Sequence, residues 1–327
     1  MKELKVLSLF DGISCGMVAL ERANIPVERY VAYEIDEDAI RVSQSNYPQI
    51  EHKGDVFVAE YKEGEFDLLI GGSPCTYWSI AKTDGKRETT SSGIGFDLFM
   101  QYVRALKEAK PKYFLYENNF SISQEIKEEI SKQLGVEPIM INSALVSGQS
   151  RKKCYWTNIP NVTIPEDKGI MCYDVVDFST HDFRPIGEWV WSYWGEKQKI
   201  DTLKTVKSEK SHTLTTSKTH SMGYYLQEDK KTYCNLTVND YEALQTLPIG
   251  YVDNVKIKST SKYRAIGNGW TVDVISHILK HIPLYQPNVC IYNNDLSCCY
   301  PFDDCINCPA HPQSTDRYWG MTKGVIQ

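Results

Sequence analysis

The sequence predicts an α/β fold, a mostly parallel sheet flanked by helices with a second, smaller lobe. Three observations predict it. Over the first 160 residues, five short apolar runs alternate with helix-like stretches. Runs apolar at nearly every position mark strands covered on both faces, which is the parallel α/β arrangement. After about residue 161 the rhythm changes: 161–220 is polar and rich in Thr, Ser and Lys, with Trp189, Trp191, Tyr193 and Trp194 within six positions. Finally, 42 % hydrophobic and 24 % charged residues in a chain of 327 are globular proportions, which exclude wholesale disorder and fibrous repeats.

The elements follow in order. Leu4–Phe10 is the first strand and breaks at Asp11-Gly12; Arg29–Ile35 is the second. Phe66–Ile70 is cut off by Gly71-Gly72, and Lys112–Tyr116 and Pro138–Ser143 complete the strands. Leu98, Phe99, Tyr102, Val103 and Leu106 recur at helical spacing until Lys110-Pro111 stops them. Ser123–Leu134 is a second helix, with Ile126, Ile130 and Leu134 on one side. Tyr241–Leu247 and Trp270–His281 return to helical spacing after the polar stretch. The chain thus divides into 1–160, a short region 161–209, a return segment 210–285, and a Cys-rich extension 286–327.

No run of about 18 apolar residues offers a membrane span. The start, MKELKVLSLFDG, does not read as a signal peptide. Both point to an intracellular protein, so the ten cysteines are expected as thiols rather than disulfides. The net charge of −6 argues weakly against a polyanion partner, but it is uneven: residues 1–70 carry 14 acids and 7 bases. Bases cluster later, at Arg151-Lys152-Lys153, at Lys204/Lys207/Lys210 and at Lys256/Lys258/Lys262/Arg264.

In parallel sheets ligands bind beyond the carboxyl ends of the strands. The first strand ends in Phe10-Asp11-Gly12-Ile13-Ser14-Cys15-Gly16, where two glycines let the backbone approach a ligand. Glu34 ends the second strand, where a nucleotide-binding fold places the carboxylate that holds ribose hydroxyls. Asp55, within Gly54-Asp55-Val56, is suited to an adenine amino group. Together the three describe an adenosine-containing ligand. Gly71-Gly72-Ser73-Pro74-Cys75 sets a thiol on a loop at a strand end, and the neighbouring strand ends in Tyr116-Glu117-Asn118-Asn119. A carboxyl group beside a thiol is a reactive pair.

These segments, with GDVF, the basic QSRKKCYW at Gln149–Trp156 and the late AIGNGWTVDVISHIL from Ala265, occur in one order. The chain resembles the DNA (cytosine-5)-methyltransferases, and among them the catalytic domains of the animal de novo enzymes, over residues 4–160 and about 210–283. The resemblance implies a Rossmann-like, S-adenosyl-L-methionine-dependent methyltransferase fold, with 161–209 as a short target-recognition region for double-stranded DNA. It implies that cytosine leaves the duplex, since a stacked base is unreachable; that Cys75 adds to C6; and that Glu117 holds and protonates N3. Arg151 and Lys153 match the basic positions beside the flipped nucleotide. The cofactor positions are Phe10, Asp11, Gly12, Ile13, Ser14, Cys15, Glu34, Asp55, Val56, Phe57, Leu98, Asn268, Gly269 and Trp270, with Phe10 and Trp270 placed to flank the sulfonium or the adenine.

Asn119 departs from the family's Glu-Asn-Val triplet. The loop Thr76–Gly95, with Lys82, Lys86 and Arg87, suggests closure over DNA phosphates. A short recognition region implies a target of about two to four bases. In the extension, Cys298, Cys299, Cys305, Cys308 and His311 fit either free thiols, the commoner outcome, or a structural zinc site. A cytosine-5 methyltransferase acting on tRNA and a non-catalytic DNA-binding relative are the alternative readings. A chain of this size is compatible with a bacterial, phage or mobile-element origin, with or without a restriction partner.

Overall fold

Seven strands make the central sheet: β1 (Leu4–Leu9), β2 (Val27–Tyr33), β3 (Glu51–His52), β4 (Leu68–Gly71), β5 (Tyr113–Asn119), β6 (Ile139–Asn142) and β7 (Lys152–Thr157). Their order is β3-β2-β1-β4-β5-β7-β6. The coordinates are a computed structural model that describes residues 3–78, 87–185, 204–216, 224–226 and 232–284. All of these elements belong to one compact unit, Leu4–Ile282. Every pairing is parallel except those of β7, which runs antiparallel to both β5 and β6. The sheet is therefore mostly parallel, as expected. β7 is an addition to the expected strands: its basic head, Arg151-Lys152-Lys153, hides the apolar Cys154-Tyr155-Trp156 behind it.

Register explains why chemistry gathers at one edge. Leu9 lies opposite Tyr33 and Gly71, and Gly71 opposite Tyr116. One residue further along each chain stand Phe10, Glu34, Gly72 and Glu117, so four separate segments deliver their next residue to the same line.

Helices cover both faces. α1 (Cys15–Arg22) packs so closely on the face carrying Ile70 that a Cβ on Gly16 would collide with Ile70 Cδ1. α2 (Glu37–Asn46) follows β2, its N-terminus capped by Asp36, which accepts from Asp38 N. On the other face α3 (Ile94–Ala109) sends Phe99 and Tyr102 against Tyr116, with ring centroids 5.2 and 4.9 Å away, and Tyr116 meets Trp156 at 5.8 Å. α3 ends at Lys110, left-handed at φ 46, directly before Pro111. α4 (Gln124–Leu134) starts at Ser123, whose hydroxyl accepts from Ile126 N, and stops at Gly135, φ +71. Both ends follow the capping rules.

After β7 come α5 (Cys172–Val175), then β8 (Arg184–Pro185), β9 (Lys204–Thr205), β10 (Tyr224–Leu226) and β11 (Thr232–Asn235), which form a second sheet in the order β8-β11-β10-β9. That sheet continues past residue 209 to Asn235. α6 (Val238–Leu244), α7 (Ser259–Asn268) and α8 (Val272–Leu279) return to the main body, where Arg22 of α1 pairs with Asp273 of α8 at 2.7 Å. Trp189, Trp191, Tyr193, Trp194, Lys82, Lys86 and the cysteines and histidine of the extension lie outside the described residues. Among the described residues no helix is long and apolar enough to cross a membrane, and no three His, Cys, Asp or Glu side chains gather as a metal site.

Candidate active site

The cleft at the carboxyl edge is lined by Phe10, Asp11, Gly12, Cys15, Glu34, Gly72, Ser73, Pro74, Glu117, Asn118, Arg151, Lys153, Asn268, Gly269 and Trp270, among others. β1 delivers its first four, and the turn that follows is tightly bent: Phe10, Gly12 and Ser14 all have positive φ, at 57, 59 and 60. Asp11 holds that turn. Its carboxylate accepts from Ser8 Oγ (2.6 Å), Tyr30 Oη (2.7 Å) and Ser14 Oγ (2.5 Å). Ser14 has one proton and gives it to Asp11, so Ser43 Oγ, 2.6 Å away, donates to Ser14 and in turn accepts from His52 Nε2 at 3.0 Å. Burial raises the Asp11 carboxyl above the ordinary aspartate value, against these hydroxyl bonds.

Glu34 is committed to backbone. It accepts from Gly12 N, Ile35 N and Asp36 N, each at 2.8 Å, and so ties the β2 end to the β1 turn. Burial raises its carboxyl too, with the three amides opposing. Ile13 and Ser14 lie buried beneath the cleft. Asp55 caps a short turn, Val56–Val58, by accepting from Phe57 N at 2.9 Å; Val56 is buried and Phe57 half exposed. Asp55, Val56, Phe57 and the half-buried Leu98 of α3 do not line this cleft.

At the other end stands Glu117. Its side chain is buried, with Oε1 2.5 Å from Lys153 Nζ, while Trp270 Nε1 donates to Oε2 at 2.8 Å. Antiparallel pairing of β5 with β7 sets Asn119 opposite Lys153, which puts Lys153 diagonal to Glu117 on the same face. Gly72 makes the approach possible: a Cβ there would lie 2.8 Å from the Glu117 carbonyl oxygen and 3.0 Å from Oε2. Asn118 faces the other way, donating to Tyr116 Oη (3.0 Å) and Ser73 O (3.3 Å), and Ser73 Oγ meets Tyr116 Oη at 2.6 Å. This ties the Gly72-Ser73-Pro74 loop to β5. Cys75 opens a short helical turn, Cys75–Tyr77, directly after that loop, and its side chain lies outside the described residues. Cys15 is no rival nucleophile, because burial pushes its thiol up to about 12 and keeps it protonated.

Arg151 lines the cleft, yet its guanidinium is spent on structure. It donates to Leu214 O (3.1 Å), Gly267 O (3.1 Å) and Gly269 O (3.3 Å), gathering three distant segments around β7. Two glutamines complete the support: Gln149, which opens the QSRKKCYW segment, and Gln245, which the sequence pattern does not single out. Gln149 donates to Leu244 O and Gln245 Oε1, both at 3.1 Å. Gln245 also accepts from Thr271 Oγ1 and donates to Ile266 O and Gly269 O. All four of its hydrogen-bonding positions are used, and they bracket Trp270. Tyr251 Oη donates to Ile13 O at 2.7 Å, bracing the β1 turn from α6's side, with Glu242 accepting from Gly250 N and Val252 N to hold Tyr251 there. A glutamine within a charged motif and a tyrosine in a loop carry no periodicity that announces such roles.

Other basic residues expected to face a polyanion are also engaged. Lys210 donates to the carbonyls of Ala144, Ser147 and Ile170. Lys262 pairs with Asp253 at 2.7 Å and Arg264 with Asp36 at 2.9 Å. Arg87 donates to Trp78 O and Ser121 O, so it anchors the end of its loop. Carbonyls and carboxylates of the protein itself set these positions.

Comparison with known proteins places this edge in context. Residues 4–137 match the model of the C-5 cytosine-specific DNA methylase family. The orphan methyltransferase M.SPRI of Bacillus phage SPR is 28 % identical over 283 residues, covering 78 % of this chain and 59 % of the phage protein. The orphan methyltransferase M.Rho11sI of Bacillus phage rho11s is 32 % identical over 186 residues, 52 % of this chain and 36 % of its own length. The chain thus spans less than two thirds of the length of either relative. Among solved structures, the Entamoeba histolytica methyltransferase EhMeth superposes with a TM-score of 0.65 at 16 % identity, over 86 % of this chain and 98 % of that one. The family match takes in β1, β2, β4 and β5, the strands that deliver Phe10, Glu34, Gly72 and Glu117, so over residues 4–137 the chain is similar to the C-5 cytosine-specific DNA methylase family.

Proposed function

We propose that the protein is an S-adenosyl-L-methionine-dependent DNA (cytosine-5)-methyltransferase acting on double-stranded DNA, with the carboxyl-edge cleft as its active site. The observation that carries this is the Glu117–Lys153–Trp270 cluster, set beside the turn that begins with Cys75 and continuous with the Phe10–Cys15 turn.

The residues present fit the cofactor. Gly72 and Gly269 leave room that a side chain would fill, a Cβ on Gly269 lying 3.0 Å from Cys15 Sγ. Phe10 through Cys15, Glu34, Asn268, Gly269 and Trp270 would hold it, with Asp55 to Phe57 and Leu98 as further contacts. Its part is to supply an electrophilic methyl group. The chain's part is to make cytosine C5 nucleophilic. A flipped cytosine enters the cleft, and the Cys75 thiolate adds to C6, breaking the C5–C6 double bond and pushing the electron pair toward the ring. Glu117, with one oxygen fixed by Lys153 and the other by Trp270, faces the base's N3 and amino edge. A proton passed to N3 through Glu117 as the thiolate adds prevents full negative charge on the ring. Once C5 carries the methyl group, water takes the C5 proton, the C5–C6 double bond re-forms and expels Cys75 as thiolate, and N3 gives its proton back to Glu117.

Region 161–209, with the small sheet that begins inside it and runs on to Asn235, is the target-recognition region in this reading, and a short target of about two to four bases suits it. The relatives' phage setting fits a DNA-modifying role inside a bacterial cell, whether orphan or paired with a restriction enzyme. Duplex DNA carrying 5-fluorocytosine tests the chemistry. Fluorine at C5 cannot leave as a proton does, so Cys75 should stay bonded to C6. A covalent protein–DNA band dependent on S-adenosyl-L-methionine and lost in Cys75→Ala is the expected result. A band that persists in Cys75→Ala contradicts the assignment. Labelled methyl entering tRNA but not duplex DNA favours the tRNA reading instead.

A further inference from the structure

Most basic side chains near the cleft have internal partners: Arg87, Arg151 and Lys210 hold carbonyls, and Lys153 holds Glu117. Lys127 and Lys152 differ. Both lie over the ring of Phe120, with Nζ 4.4 and 6.0 Å from its centroid, and neither forms an ion pair among the described residues. Phe120 is itself 36 % exposed. The position is specific: Phe120 directly follows β5, three residues beyond Glu117, and Lys152 opens β7 next to Lys153. Lys127 stands near the start of α4.

The neighbouring acids of α4 hold other partners rather than these lysines. Glu125 Oε1 accepts from Ser91 N at 3.3 Å, and Glu128 accepts from Gln124 Nε2 at 3.0 Å. The same turn receives the end of the Thr76–Gly95 loop, through Arg87 to Ser121 O and Ser123 Oγ to Thr89 O, both at 2.6 Å. A ring beneath two ammonium groups holds long side chains in place at reduced entropic cost while leaving their charge unneutralised. That is a device for meeting an anion, and the anion a cytosine-flipping site must meet is the phosphodiester chain on either side of the base.

We propose that Phe120, Lys127 and Lys152 form a seat for the DNA backbone flanking the target cytosine, beside the Glu117 end of the cleft. This rests on the reading of the chain as a DNA methyltransferase. Removing one lysine–phosphate pair should reduce the slope of log affinity against log salt by about 0.9. The test is duplex affinity across a salt series for the full chain, its Lys127→Gln/Lys152→Gln double variant, and Lys132→Gln as a control on the same helix, where Lys132 already pairs with Glu129. The expected result is a slope shallower by about 1.8 in the double variant only, with its urea midpoint at the wild-type value and Phe120→Ala binding DNA with intermediate affinity. A double-variant slope equal to wild type overturns the seat while leaving the methyltransferase reading intact. A wild-type protein that methylates no DNA overturns that reading, and the seat with it.

Discussion

Trp270 ties two parts of the site together at the residue scale. It lies in the late Asn268-Gly269-Trp270 segment, which the proposed function assigns to the cofactor, and its indole donates to Glu117 Oε2. Trp270→Phe keeps the ring and removes one charge-assisted hydrogen bond, worth about 1.5–3 kcal/mol. Single-turnover methylation should therefore slow by roughly ten- to a hundredfold, one factor of ten per 1.36 kcal/mol. Gly72→Ala should cost both activity and stability, because its methyl would meet the Glu117 backbone and carboxylate. Reduced turnover together with a lower urea midpoint is the expected outcome. The placement of Glu34 and Glu117 was legible because each ends an apolar run, and that of Cys75 because Gly71-Gly72 cut off the run that precedes its loop. The destinations of Arg151 and Lys210 were not. Their carbonyl partners lie as far as 118 residues away in sequence, and nothing in a charge run distinguishes a lysine facing phosphate from one buried on carbonyls.

The β1 turn and the β2 end behave as one unit at the element scale, because Glu34 binds the Gly12 amide and Asp11 draws in Ser8, Ser14 and Tyr30. Both carboxyls are raised by burial. Their acceptor roles need the ionised form, so the arrangement is complete at high pH and is lost as pH falls through the raised values. Cofactor affinity should begin to fall on acidification above the ordinary carboxylate range of about 4. Equilibrium dialysis of S-adenosyl-L-methionine against pH checks this, and a Glu34→Gln variant should bind more weakly at neutral pH. Arg151 joins β7 to the Leu214 segment and to the loop after α7. Arg151→Met should take this donor from the buried Leu214 and Gly267 carbonyls, while Gly269 O keeps Gln245, and should cost about 3 kcal/mol, read as a lower urea midpoint. Strands β1, β2, β4, β5 and β6 and helices α3 and α4 were legible from periodicity and their stop signals. β7 was not, since its first two residues are lysines.

At the scale of the whole molecule, charge and topology divide the work. The acidic first 70 residues supply Asp11 and Glu34, which the fold uses to hold its own structure at the β1-turn end of the cleft. Aligned strand ends then set Glu117 and the turn beginning at Cys75 at the other end. Neither group lies near the other in sequence, and only the parallel register brings them together. Whether this edge methylates cytosine at C5 in DNA is read directly by mass spectrometry of nucleosides, after duplex DNA has been incubated with the protein and S-adenosyl-L-methionine. The expected result is 5-methylcytosine with wild type and none with Cys75→Ala or Glu117→Ala. Methyl groups found only on adenine or on the exocyclic N4 of cytosine, or 5-methylcytosine made equally by Cys75→Ala, would contradict it.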